Sequence, residues 1–285
     1  MGQTHACRYF TVILDNEPCP GHHRGVVTTS LADLPDHLLS HGLTSFTSTD
    51  AARLAGIPVT HVHPGLQRLM DRNLIFSPAR GFYVPIPPEF RTWRSTPAAH
   101  FIDAMMIHLG RNYYVALLSA AEIHDAAHQR PQAFQVMVDR SLPTRRAGRV
   151  DLRFYLDSRL HSAATSLHHT PTGTMAVATP ATTVLDLAAR PSDGGGLDNV
   201  ATVLIDLADH GRLDPDSLRA AAHRYSVSAV RRAGWILEHH TDLDVADSLD
   251  PRHAAPTMLD PHGGRRGPID PTWQLIINTD LQPDT

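Results

Sequence analysis

The sequence contains no lysine; all 25 of its fixed basic side chains are arginine. That absence removes several chemistries at once. A Walker A phosphate loop needs its lysine, and a Schiff-base enzyme needs an amine nucleophile. The nuclease core that combines carboxylates with a lysine is disfavoured for the same reason. Cysteine is nearly as scarce: Cys7 and Cys19 are the only two and make no disulfide framework. Together with His22 and His23 they resemble a metal site on paper, but the spacing fits no common zinc pattern. No apolar run approaches the roughly 20 residues needed to span a bilayer. Val12-Ile13-Leu14 is followed at once by acids and prolines, so it lacks the apolar core of a signal peptide. A Ser-His-Asp elbow, a glycine-rich nucleotide loop and a paired-acid constellation are also missing. The expectation is a cytoplasmic protein with no catalytic residues, no metal, no cofactor and no membrane association.

What is present is unevenly distributed. The 285 residues are 42% hydrophobic, enough for one large core or two small ones. The net charge of -4 argues against indiscriminate nucleic-acid binding. Between Thr44 and Arg94, however, six arginines face three acids, whereas between Pro191 and Asp250 eleven acids face five arginines. A basic front and an acidic back suggest two jobs on two surfaces.

Residues 1–30 show no periodicity and read as a poorly ordered leader. Leu34, Leu38 and Leu39 share one face of a short helix that stops at His41-Gly42, and Phe46 follows as an anchor. Thr47 to Asp50 is rich in capping residues, and Ala51 to Ala55 continues as a helix broken by Gly56. A second helix is expected from His61 to about Asn73, capped by Thr60, with Val62, Leu66, Leu69 and Met70 inward. Pro64 then falls at the edge of its first turn. Leu74-Ile75-Phe76 and Phe82 to Ile86 read as strands joined by a turn over residues 77–81. The order helix, helix, turn, helix, hairpin spells a winged helix-turn-helix over residues 31–96. Pro85, Pro87 and Pro88 read as a stiff linker to a larger mixed α/β domain, residues 97–285.

In that domain helices are expected over residues 98–109, 115–127, 182–189, 199–210, 216–223 and 227–239. Strands are expected over 134–139, 149–156, 173–178 and 273–278, and Gly194-Gly195-Gly196 as a flexible break. The fold class is therefore α+β.

The front carries the chemistry of duplex recognition. The outward positions of the second helix are His61, Gly65, Gln67, Arg68 and Arg72. Gln67 can pair with adenine and Arg68 can fork onto guanine, each bidentately, in the major groove. Thr60 and the helix N-terminus can hold a phosphate through free backbone N–H groups. Arg80, at the hairpin tip, can reach a neighbouring groove or the backbone. The plainer alternative is a winged helix used for protein contacts. Between Arg130 and Arg153 lies a second basic stretch, in which Arg140, Arg145, Arg146 and Arg149 suit a DNA backbone or an acidic protein surface equally. Arg145-Arg146 reads as a loop between strands. His124 and His128 have the spacing of zinc ligands on a helix, but a third ligand is wanting and buried, hydrogen-bonded histidines are the simpler reading. Asp186, on an apolar helix, reads as a cap or an internal ion-pair partner.

Several segments then agree with one family. Phe46-Thr47-Ser48-Thr49-Asp50-Ala51-Ala52 and the run Phe76 to Pro85 come first. Tyr113-Tyr114-Val115-Ala116-Leu117-Leu118-Ser119-Ala120-Ala121 is the most distinctive, and it leads into the run His124 to Gln132. Ala178 to Leu187 and Gly195 to Val200 follow. In this order they resemble the AbiEi-type antitoxins, from about Leu34 to the C-terminus. The resemblance implies a winged helix that binds double-stranded DNA and represses the protein's own operon; the modest charge excess of that region and Pro64 at the start of its reading helix point to two copies on a repeated site, as a homodimer on the DNA. It also implies a C-terminal domain that opposes a nucleotidyltransferase-like toxin encoded nearby, with no enzymatic activity of its own. The first thirty residues match nothing in the pattern, and Pro64 is a local oddity of the reading helix. Two other functions fit the layout: a stand-alone regulator whose second domain binds a small molecule, and a nuclease-like enzyme targeted by the winged helix.

Overall fold

The computed structural model describes residues 29–127, 131–249 and 255–284. The leader over residues 1–28, with Cys7, Cys19, His22 and His23, and the position of His128, lie outside the described residues. The chain divides into two compact units. The first takes in the described part of Met1–Pro97 together with Ala104–Gly110 and Ala147–Arg149. The second comprises Ala98–Asp103, Arg111–Arg146 and the described part of Val150–Thr285. The chain thus changes unit more than once, where the sequence suggests one boundary near Pro97.

In the first unit, helix α1 spans Leu34–Ser40 and strand β1 spans Phe46–Thr47. Thr47 ends the strand and caps helix α2, Ser48–Ala55. Its hydroxyl accepts from the Asp50 amide at 3.2 Å, and the Asp50 carboxylate accepts from the Thr47 amide at 2.9 Å. This reciprocal pair satisfies two amides that the helix leaves open, and such caps contribute roughly 0.5–2 kcal/mol. Gly56 closes α2 in the left-handed region at φ 65°.

The expected cap at Thr60 is not formed. Residues Val59–His61 make a 3-10 turn, and helix α3 runs from His63 to Asp71 with Val62 before it. Proline explains the shift. Pro64 has no N–H to give the carbonyl of Thr60, so an α-helical bond cannot form there. From its place in the first turn of α3, where no amide is needed, Pro64 starts the helix and does not distort it.

Strands β2, Ile75–Ala79, and β3, Phe82–Pro85, form a hairpin with Ile75 opposite Pro85 and Ala79 opposite Phe82. β1 adds to β3, giving the order β1-β3-β2. The turn is therefore shorter than expected, only Arg80-Gly81. Pro85 belongs to β3, and the Ile86 amide donates to the Leu74 carbonyl at 2.8 Å, so this stretch is paired backbone and not a linker. Leu34, Leu38, Phe46, Val62, Leu66 and Leu69 fill the core of this unit. Each such buried side chain contributes about 1.5–3 kcal/mol.

Ala98–His100 forms a 3-10 turn separate from helix α4, Ile102–Leu109, where one helix over 98–109 is expected. The second unit is built on a six-stranded sheet. Its strands are β4 (Tyr113–Val115), β5 (Phe134–Val138), β6 (Arg145–Ala147), β7 (Val150–Leu156), β8 (Thr165–Thr170) and β9 (Gly173–Ala178). They lie in the order β6-β7-β5-β4-β9-β8. β5 runs parallel to β7 and β4 to β9, while β4 and β5, and β8 and β9, are antiparallel. The helix expected from Val115 is corrected: Tyr113–Val115 is a central strand, and helix α5 covers Leu117–Ile123. Leu117 makes the sharp bend between them at φ 52°, and the Gln135 side chain accepts from the Leu118 amide at 2.9 Å. Arg145 and Arg146, read as a loop, sit in edge strand β6.

Helix α6, Pro180–Ala189, is buried along nearly its whole length and capped by Thr179, whose hydroxyl accepts from the Thr182 amide. It packs against α5, α7 (Leu197–Asp209), α8 (Pro215–Ala222) and α9 (Val227–His240). The glycines before α7 form a turn, with Gly195 and Gly196 at positive φ. After helix α10, Ala246–Leu249, come the short strands β10 (Thr257–Met258), β11 (Ile269–Asp270) and β12 (Leu275–Ile276), with β12 central. Only Leu275–Ile276 of the strand expected over 273–278 is extended and paired. Trp273 is fully buried against α9, directly over Gly234.

Candidate functional site

The first unit presents the residues expected to read a duplex, with two changes. His61, Gln67, Arg68 and Arg72 are exposed. Gln67, Arg68 and Arg72 follow from the helical period of α3, whose opposite face buries Leu66 and Leu69. Gln67 donates to the Asp71 carboxylate at 2.9 Å, so the acid one turn on already orients its amide. Gly65, expected to face outward, is half-buried: a Cβ there would lie 2.5 Å from Leu31 Cδ1. It is a close-approach position against the preceding segment. Thr60 is exposed but lies in the 3-10 turn and does not cap α3. His63 joins the exposed first turn, a residue missed because the helix begins two positions later than its sequence suggests.

Arg80 stands exposed at the hairpin tip. Gly81 follows at φ 74°, a conformation that glycine adopts without steric cost. Ser77 Oγ lies 2.8 Å and 2.9 Å from the carbonyls of Ala79 and Phe82, holding the hairpin from within. The ring of His108 lies 3.0 Å from the Arg80 carbonyl through Nε2 and packs on Phe82 with centroids 5.3 Å apart.

The second basic set is divided between the two units. Arg140, Arg145 and Arg146 belong to the second unit and Arg149 to the first. Arg140, Arg146 and Arg149 are exposed, and Arg146 pairs with Asp151 at 3.3 Å. The Arg149 amide donates to Ser95 Oγ at 3.3 Å.

The second unit also holds a buried polar centre of which the sequence marked only Asp186. The Asp186 carboxylate accepts from Tyr225 at 2.8 Å and from Tyr114 at 3.1 Å. Arg224 donates to the Tyr225 hydroxyl at 3.1 Å and to the Arg159 carbonyl at 3.2 Å, and pairs with Asp157. Burial pushes the Asp186 carboxyl up to about 6, while the hydrogen bond from Tyr225, the charge of Arg224 and the hydrogen bond from Tyr114 draw it partly back. Burial and the neighbouring Asp186 charge raise the Tyr114 hydroxyl. Each side chain of this centre has at least one protein partner, and Arg224 Nε alone among their buried polar atoms is left without a hydrogen bond, which suits a specifying core network more than an open reaction site. The signal available in the sequence was weak: tyrosines at 114 and 225 and an arginine at 224 carry no spacing that ties them to Asp186.

His124 is half-buried at the C-terminal end of α5, its Nε2 2.7 Å from the Ala178 carbonyl, and burial lowers its pKa. Among the described residues no group of three or more His, Cys, Asp or Glu is arranged to hold a metal ion. No helix among them is long and apolar enough to cross a membrane.

Residues 114–239 match the family described as the AbiEi antitoxin C-terminal domain. No curated protein matches the sequence. The fold is similar to the crystal structure of the RV2827C protein from Mycobacterium tuberculosis, with a TM-score of 0.64 and 16% identity. That similarity covers 86% of this chain and 89% of the other.

Proposed function

We propose that this chain, whose residues 114–239 match the AbiEi antitoxin C-terminal domain, is the antitoxin of a bacterial toxin–antitoxin pair. The family match carries this reading. In it the second unit counteracts a nucleotidyltransferase-like toxin encoded nearby, and the protein is not an enzyme. The first unit is a winged helix-turn-helix that binds the protein's own promoter as a repressor. Its support is the order of elements from α1 to β3, together with Gln67, Arg68 and Arg72 exposed on α3 and Arg80 at the wing tip. Arg140, Arg145, Arg146 and Arg149 suit contact with the toxin or with the DNA backbone equally. Since α3 also exposes Asp71, tight binding is expected to need two copies on a repeated site.

Co-expression with the adjacent gene product tests the antitoxin function. The full chain should restore growth, and failure to do so would remove the antitoxin reading. A gel shift of the promoter fragment tests repression. Binding should weaken steeply with salt, because phosphate contacts release counterions. Absence of any shift at low salt would sink the repressor role.

A further inference from the structure

We propose that His108 is a positioning residue for DNA binding: it fixes the wing so that Arg80 is presented to the duplex. This rests on the reading of the first unit as a DNA-binding module. The observation is a long-range one. His108 lies near the end of α4, 28 positions along the chain from Arg80, yet its Nε2 is 3.0 Å from the Arg80 carbonyl. Both residues belong to the first unit.

A carbonyl only accepts, so Nε2 must carry the proton and donate. The same ring packs on Phe82, the residue that begins β3 just after the turn. One contact holds the central peptide of the Arg80-Gly81 turn and the other the first residue of the returning strand. That matters because a two-residue turn containing glycine has the freedom to open, and an arginine on a mobile tip gives up conformational entropy when it meets a phosphate. Ser77 holds the strands from inside the hairpin, but it reaches the carbonyls of Ala79 and Phe82, not that of Arg80. The carbonyl of the turn residue itself is held by His108.

The experiment measures binding of the full chain to a duplex of its own promoter over a salt series, for wild type and for Arg80→Ala, His108→Ala, His108→Gln and the double alanine variant. His108→Ala should weaken binding roughly 2- to 10-fold, the range that one net hydrogen bond spans. His108→Gln keeps a donor at about the same reach and should return affinity to within about 2-fold of wild type. Arg80→Ala should lower the slope of log affinity against log salt by about 0.9, one phosphate contact. In the Arg80→Ala background, His108→Ala should have no further effect, because its route to the DNA is gone. A merely structural loss would instead persist in that background, and glutamine would not rescue it. Additive losses, or an unchanged curve for His108→Ala, would overturn the proposal while leaving the DNA-binding reading intact. Wild type failing to bind would overturn both.

Discussion

The two units use arginine in different ways. The first wears it outside: Arg68, Arg72 and Arg80 are exposed around a small apolar core. The second also exposes some, Arg140 and Arg146 among them, but buries others: Arg224, Arg231 and Arg232 are each 9% exposed or less. Arg232 donates to the carbonyls of Ala188, Met258 and Leu259, and Arg231 to those of Ala255 and Gln274. Burial brings the Arg232 guanidinium down to about 10. These arginines are structural. Arg231 and Arg232 tie α9 to the segment that carries β10 and β12, using the guanidinium's fixed fork of donors, which lysine could not replace. The difference teaches that the charge count of a region says little about its surface. Much of the acidic back's positive charge is inside.

The largest effect should come from breaking the buried side of this comparison. Arg224→Ala would leave Asp157 without its cation and remove a donor from Tyr225 and Tyr114. Removing one partner of a buried pair typically costs about 3–5 kcal/mol. Denaturant unfolding followed through Trp235 and Trp273, both in the second unit, should show that loss, whereas Trp93 in the first unit should report little change. A cost under about 1 kcal/mol would mean the centre is solvated and the burial argument is wrong.

Asp186 should make the second unit's stability depend on pH. Its folded pKa of about 6 lies above the ordinary 3.8. Between those values the folded state binds more protons than the unfolded one, so this group's contribution falls as pH rises from about 4 to about 6. The loss is on the order of 3 kcal/mol. Asp186→Asn cannot titrate, so its stability relative to wild type should rise across that window. A constant difference from pH 4 to pH 7 would show that Asp186 titrates normally in the folded chain.

How much of this was legible beforehand varies with the range of the cause. The Thr47–Asp50 cap and the stop at Gly56 are local, and the residue types alone announced them. Exposure of Gln67, Arg68 and Arg72 followed from helical period. Gly65 did not, because what it packs against, Leu31, lies outside its helix. Strand β8 went unread because its side chains are almost all exposed, Leu167 at 73%, and no inward–outward alternation marks it. Strand β4 is only three residues and is followed at once by a helix. The polar centre joins residues 114, 157, 186 and 224–225, a pairing that only the tertiary fold creates.

Gly234→Ala probes the buried side through shape and not charge. A Cβ at position 234 would overlap the ring of Trp273, which is fully buried. Overpacking of this kind costs about 1–3 kcal/mol. Trp273 fluorescence should shift as the ring is displaced, with the loss of stability read from the same unfolding curve. A neutral variant would show that the contact between α9 and the C-terminal segment gives way without cost.

The smallest effect on stability, and the sharpest contrast, should come from Arg68→Ala. Its side chain is exposed on α3, and a surface change of this kind moves stability by only about 0.5 kcal/mol either way. Yet if Arg68 reads a guanine edge, specific promoter binding should weaken by about 1–3 kcal/mol, with discrimination relaxed at one base pair. An arginine that only neutralised a phosphate would behave differently: specific and non-specific duplexes would lose affinity alike, and the salt slope would fall by about one. Binding to the promoter and to a scrambled duplex, measured in parallel over salt, separates the two. Equal losses would assign Arg68 to the backbone and leave Gln67, already held by Asp71, as the base-reading candidate on the exposed face of α3.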